Sequence, residues 1–321
     1  MKISDFLSKY ALFIILLALI AFFSFNSQFF LSGANAINIA RQVAMYGICA
    51  VGMTFVILTG GIDLSTGSVV GVAAASAARL MVAGIHPVPA TIFALALGVI
   101  FGLINGFFIN KVSLPPLITT LGTMTALRGV TLVLTDGRGV FGFTRNYSVI
   151  GQGYVAENLI GPYVPVPVVI MVAAFVLGYV ILEMTKFGRY VYGVGDNEEA
   201  TRLSGVNVKK VKYAVYAFSG FLSALAGIVY LSRMMSAQPT AGQSYEMEII
   251  TAVVLGGVSI KGGEGKISLV IVGVLIMGVL VNGMIMMNIN AFYQWVVKGG
   301  VLLLAVSYDK LMLEHRNKIK I

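Results

Sequence analysis

The sequence predicts an all-α polytopic membrane protein, and three observations carry that expectation. Of 321 residues, 58% are hydrophobic and 11% are charged, with a mean hydropathy of +0.92. A soluble domain carries about 25% charged residues. Apolar stretches of about 20 residues, the length a spanning helix needs, recur along the whole chain. Lys and Arg fall unevenly between the connecting segments, as they do where one side of a membrane is cytoplasmic.

Ten spans are expected, at about 10–30, 42–60, 65–84, 88–109, 114–135, 163–184, 211–232, 246–258, 267–287 and 291–308. The first follows Lys2 and Lys9 and runs without a small-residue cleavage site, so it reads as a retained span rather than a signal peptide. Between the second and third lie Gly60, Gly61 and Asp63, with Asp63 placed to cap the third span at Leu64. The third carries a small-residue stripe (Gly67, Gly71, Ala75, Ala78) and the fourth another (Gly98, Gly102, Gly106). Such stripes let helix backbones approach closely, and packing within the chain is favoured over a dimer seam. The eighth is short, begins with Glu246 and Glu248 and ends at Gly256-Gly257. It is expected to be a half-helix.

Fifteen of the 22 Lys and Arg fall on the side of the N-terminus, from Lys2 and Lys9 through Lys209, Lys210 and Lys212 to Lys320. Arg41, Arg138, Arg145 and Arg233 fall on the opposite side, and Arg79, Arg128 and Lys298 within spans. This places both termini in the cytoplasm and favours an even number of spans. The chain reads as a single transmembrane domain, 1–321, with an outer loop at about 136–162 and a cytoplasmic loop at about 185–210. The outer loop reads equally well as a connector or as a docking surface for an external partner.

Several function classes are excluded. The net charge of +9 is the sign that the positive-inside bias gives, so nucleic acid is not an expected partner. Cys49 stands alone within an apolar span and reads as a packing residue. The nearest approach to a P-loop, Gly262-Gly263-Glu264-Gly265-Lys266-Ile267, lacks the first Gly and the Ser/Thr. Its glycines read as a tight turn. His86 and His315 form no metal pair, and no nucleophile elbow occurs. No catalytic residue, metal or bound cofactor is expected; if the protein pumps with ATP, the ATPase has to be another chain.

Polar residues inside spans mark candidates for a path or gate: Asp63, Asn105, Arg128, Asn282 and Gln294. For the Asn and Gln residues a helix–helix hydrogen bond is the stronger reading. Arg128 is expected to reach the outer face or to pair with Asp136, and Lys298 needs a partner. Intramembrane carboxylates are too few to favour a proton relay.

The segment Gly188–Val206 is polar and charged within an otherwise apolar chain. Asp196 reads as an N-cap with Glu199 three residues on, Glu198 and Glu199 suit a first turn, and Gly205 reads as a stop. The spacing predicts a helix of about two turns displaying Arg202 and Leu203. Alone in water so short a helix is marginal, so the membrane domain or a soluble partner has to hold it.

This segment resembles the coupling loop of sugar-type ABC importer permeases. Other stretches resemble the pattern of that family elsewhere: Gly52–Ser65 (GMTFVILTGGIDLS), Thr119–Met124 with Arg128-Gly129, Ser236–Gly242 (SAQPTAG) and Ala252–Gly257 (AVVLGG), in one order along the chain. The chain is similar throughout to ribose and other monosaccharide permeases of this family. The resemblance implies a type II importer permease of ten helices in the bacterial inner membrane, working as a homodimer. It further implies coupling to a cytoplasmic ATP-binding subunit through Asp196, Asn197, Glu198, Glu199, Ala200, Arg202, Leu203 and Gly205. A periplasmic or surface-tethered sugar-binding protein would deliver ribose or a related simple sugar. Two alternatives stay open: the same machine for a branched-chain amino acid or a furanosyl signal, and a secondary carrier acting alone.

Overall fold

The computed structural model describes residues 3–155, 157 and 161–319. Lys2 and Lys320, counted above on the inner side, lie outside them, as do residues 156 and 158–160 of the outer loop. Among the described residues the chain is helical, with two isolated bridges (Val140 to Ala237 and Tyr154 to Pro165) and no strand.

The helices are α1 (Ile3–Asn26), α2 (Gly33–Leu58), α3 (Thr66–Val82), α4 (Pro87–Asn110), α5 (Pro116–Thr135), α6 (Val166–Met184), α7 (Lys186–Asp196), α8 (Glu198–Leu203), α9 (Val208–Met234), α10 (Tyr245–Leu255), α11 (Ile267–Met286) and α12 (Ala291–Ile319). A 3-10 turn at Arg145–Ser148 and one α turn at Val149–Gln152 sit in the outer loop. Each of the ten expected segments falls on a helix. Six of these helices (α2, α4, α5, α6, α9 and α11) are long and apolar enough to cross a membrane, and Tyr10–Asn26, Thr66–Val82 and Ala291–Ser307 are shorter apolar stretches. α10 has 11 residues, about 16 Å of helix against about 30 Å of hydrocarbon, so it reaches only partway.

α2 is the axis of the molecule, buried at every residue from Val43 to Leu58. It packs on α6, α9, α10 and α11, while α9 also packs on α3 and α4. The outward faces are apolar: Phe93 is 48% exposed, Val133 76% and Leu304 73%. A surface this apolar fits a bilayer rather than water.

The small-residue stripes pack within the chain. A Cβ on Gly98 would strike the Gly220 carbonyl of α9, and a Cβ on Gly220 the Gly98 carbonyl in return. Gly102 sits equally tight on the Tyr216 carbonyl, and Gly71 would place a Cβ 2.9 Å from the Ala241 carbonyl. Backbones this close leave no room for any larger residue.

Several polar side chains inside the bundle are paired. Asn35 and Asn282 exchange two amide hydrogen bonds of 2.9 Å between α2 and α11, both residues buried. Because the pair is reciprocal, Asn282→Ala is expected to cost about 1 kcal/mol. The Asn35→Ala/Asn282→Ala double variant should cost little more than the larger single change. Thermal melting in detergent reads this cycle; fully additive losses would show that the two amides act separately.

Lys298 of α12 finds its partner in Glu248 of α10. Arg128 does not pair with Asp136, which instead takes Arg79 at the surface. Arg128 turns inward, donating to the carbonyls of Ala241 (2.9 Å) and Gly242 (2.7 Å), with Glu246 at 3.6 Å. The reason is reach: α5 ends beyond Arg128 with Asp136 in the left-handed region, directed at Arg79 of α3, while the 236–244 loop presents the Ala241 and Gly242 carbonyls beside Arg128.

Candidate functional site

One end of the bundle gathers the loops expected to face the cytoplasm: the α2–α3 turn, the α6–α9 connection and the α10–α11 loop. α6 stops at Met184, and Thr185 caps α7 by accepting the Gly188 amide at 3.3 Å. Val191 and Val194 follow Gly188 at a spacing of three, and this face of α7 is buried. Tyr192 donates to Glu183 and to the Gly265 carbonyl, each at 3.1 Å. Burial and the Glu183 charge push the Tyr192 phenol up from its ordinary range, so it stays protonated.

A glycine contact locks α7 to the bundle. A Cβ on Gly195 would collide with the Leu58 carbonyl at the end of α2 and with the Gly263 amide. Gly263 donates to that same carbonyl at 2.9 Å. Gly262 (φ +89°), Gly263 (φ +74°) and Gly265 (φ +144°) hold positive φ, the tight turn the sequence indicated where a P-loop is absent.

The N-cap of α8 is Asn197, not Asp196. Asn197 is extended (φ −154°, ψ 100°) and its Oδ1 accepts the Ala200 amide at 2.9 Å, whereas Asp196 is the last residue of α7. Asp196 is held in that helix by its contact with Gly263, so the cap passes to the next residue able to make it. Glu199 therefore falls at the second helical position, and no capping box forms. Glu199 pairs with Arg202 at 2.6 Å, both about two-thirds exposed, and Glu198 pairs with Lys212 of α9 at 2.7 Å. α8 is a six-residue helix with no buried residue, and Leu203 stands 77% exposed at its tip. Gly205 (φ +86°) follows as the expected stop.

Asp63 does not cap α3, which begins at Thr66. Its carboxylate is buried and accepts from the Ser65 amide (3.0 Å), the Ser65 hydroxyl (2.6 Å) and the Ser219 hydroxyl of α9 (2.9 Å). Asn105 of α4 donates to the Ser65 Oγ at 2.9 Å and accepts from Thr123 of α5. Asp63 thereby ties the α2–α3 turn to α9, α4 and α5. Ser65, Ser219 and Thr123 were not legible as members of this network, since hydroxyls are common in spans. Beneath it a cavity of about 320 Å³ is lined by Thr59, Gly61, Val194, Glu198, Lys212 and Tyr216, among others. Of the five candidate path residues, only Asp63 and Asn105 come together. Arg128 is on the 241–242 carbonyls, Asn282 on Asn35, and Gln294 donates to the Ile289 carbonyl at 2.8 Å at the start of α12.

Comparison with known proteins is consistent along the chain. The family described as "Branched-chain amino acid transport system / permease component" matches residues 35–306. The chain is 47% identical over 306 residues to the ribose import permease protein of Bacillus subtilis strain 168, covering 95% of this chain and 93% of that protein. It is 44% identical over 297 residues to the ribose import permease protein of Escherichia coli K12, with 92% of each covered. The D-allose transport system permease protein of Escherichia coli K12 is 36% identical over 310 residues, 96% of this chain and 93% of that one. No solved structure matches.

Proposed function

The chain belongs to the family of branched-chain amino acid transport system permease components, and from that premise we propose that it works as the membrane subunit of an ABC importer for ribose or a closely related monosaccharide. It is a permease of the bacterial inner membrane with several spans. The observation that carries the sugar reading is identity of 44–47% to ribose import permeases over more than nine-tenths of the chain. The family's description names a branched-chain amino acid, whereas the similar permeases above are named for ribose and D-allose.

In this reading the chain has ten spans with both termini inside, α10 being a half-helix, and works as a homodimer. It binds no cofactor and hydrolyses nothing; a separate cytoplasmic subunit supplies ATP hydrolysis. That subunit grips the segment from Asp196 to Gly205, which contains α8. A sugar-binding protein docks at the 136–162 loop on the other face. ATP-driven closure of the ATPase pair moves α8 with α7 as a rigid body. The Gly195 contact passes the motion to the end of α2, and the turn that follows carries Asp63, whose hydrogen bonds reach α9 and α4. The packed elements then rock between two arrangements.

The test is reconstitution of the chain in lipid with its ATPase and binding protein. ATP hydrolysis raised by ribose-loaded binding protein, together with ATP-dependent ribose uptake, is the expected result. A chain that associates with no ATPase and takes up solute alone on an ion gradient would overturn the reading in favour of a secondary carrier.

A further inference from the structure

On its lipid-facing side, α4 and α9 enclose an open groove of about 440 Å³ lined by Ile100, Leu103, Ile104, Phe107, Phe108 and Tyr213. Its lining is aliphatic and aromatic, with the Tyr213 phenol as the one polar group among the lining side chains. The helices close together below it, where a Cβ on Gly106 would lie 2.9 Å from the Tyr213 ring. The groove has one charged end. Lys111 is the C-cap of α4, four residues after Phe107 and three after Phe108 and still in helical conformation, so it stands on their face of the helix. Lys209 and Lys210 precede Tyr213 by four and three residues and share its face of α9. Asn110 donates to the Lys209 carbonyl at 3.5 Å, which brings the two helix ends together.

All three lysines are exposed, and none makes an ion pair among the described residues. Lys212, one turn further on, differs: its charge is taken by Glu198. Three uncompensated cations at the membrane-interface end of an apolar groove match one kind of occupant, an anion carrying a hydrocarbon chain. We propose that this groove holds an acyl chain of an anionic phospholipid, with the lipid phosphate seated at Lys111, Lys209 and Lys210. A zwitterionic lipid brings the same phosphate beside a cationic group that the three lysines repel, so the site selects net headgroup charge as well as chain.

The proposal rests on the chain spanning a bilayer, and not on the sugar or the ATPase. The test uses the intact purified protein, delipidated in mild detergent and offered phosphatidylglycerol or phosphatidylcholine, with retained lipid counted by native mass spectrometry. The wild type should retain phosphatidylglycerol preferentially. Each lysine contributes roughly fivefold to that preference, so the Lys111→Gln/Lys209→Gln/Lys210→Gln variant should lose it. Leu103→Trp, which fills the groove and leaves the lysines in place, should lower retention of both lipids. Equal retention of the two lipids by the wild type would overturn the proposal, as would undiminished phosphatidylglycerol preference in a triple variant that melts like the wild type. Normal ATP-driven sugar uptake alongside either result would sink the lipid site alone and leave the transport reading intact.

Discussion

Leu203→Asp is expected to reduce ATP-driven uptake to the background of cells lacking the permease, while the protein remains folded and in the membrane. α8 buries nothing within its own chain, and Leu203 is 77% exposed at its tip. A six-residue helix does not hold itself in water. Its side-chain ties to the rest of the chain are the Glu198–Lys212 pair and the packing of Thr201 on Gly193 of α7. Covering one Leu side chain with a partner is worth about 1.5–3 kcal/mol, and a carboxylate in its place puts an unpaired charge into the interface at further cost. Since Leu203 packs on nothing within the permease, the melting temperature should not move. Arg202→Ala should also leave folding almost unchanged, because an exposed i,i+3 pair contributes at most about 0.3–0.5 kcal/mol. Co-purification of the ATPase with each variant reads the effect directly. Full uptake in Leu203→Asp would mean that the ATPase grips another surface.

The spans were legible because hydropathy over twenty residues is a strong signal, but hydropathy marks lipid contact rather than helix. α2 begins at Gly33, well before the apolar run, because Asn35, Asn38, Arg41 and Gln42 lower the local hydropathy of a helix whose first turns are polar. α12 likewise continues past the apolar stretch to Ile319. α7 was missed altogether: Gly188, Gly193 and Gly195 depress its propensity, and the helix forms because those glycines fit against Leu182, Thr201 and Leu58. Its sequence signal was the Thr185 cap with Val191 and Val194 in step. The Asp196 cap misread a local ambiguity, since Asp196 and Asn197 are both good caps and only the distant contact with Gly263 decides between them. The Asp63 network was beyond reach for the same reason. Its bond to Ser219 joins residues 156 apart, and no local pattern encodes such a partner.

Gly195→Val is expected to abolish uptake as completely as Leu203→Asp, but at a different step. The new side chain has nowhere to go: its Cβ meets the Leu58 carbonyl and the Gly263 amide, both backbone atoms held by their own hydrogen bond. Overpacking a side-chain core costs about 1–3 kcal/mol, and backbone yields less than side chain. α7 must therefore lift from the end of α2. The α8 surface is untouched by that shift, so the ATPase should still co-purify with the variant. What fails is transmission, because the turn bearing Asp63 no longer moves with α7; ATP hydrolysis in the reconstituted complex should cease to respond to loaded binding protein. Gly193→Ala provides the control two residues away. Its Cβ would lie 3.0 Å from the Thr201 hydroxyl, a side chain free to turn aside, and most uptake should survive. Were Gly195→Val to retain stimulated hydrolysis and uptake, the path from α8 to the bundle would have to run through Glu198 and Lys212 into α9 instead, and Lys212→Ala would then carry the defect.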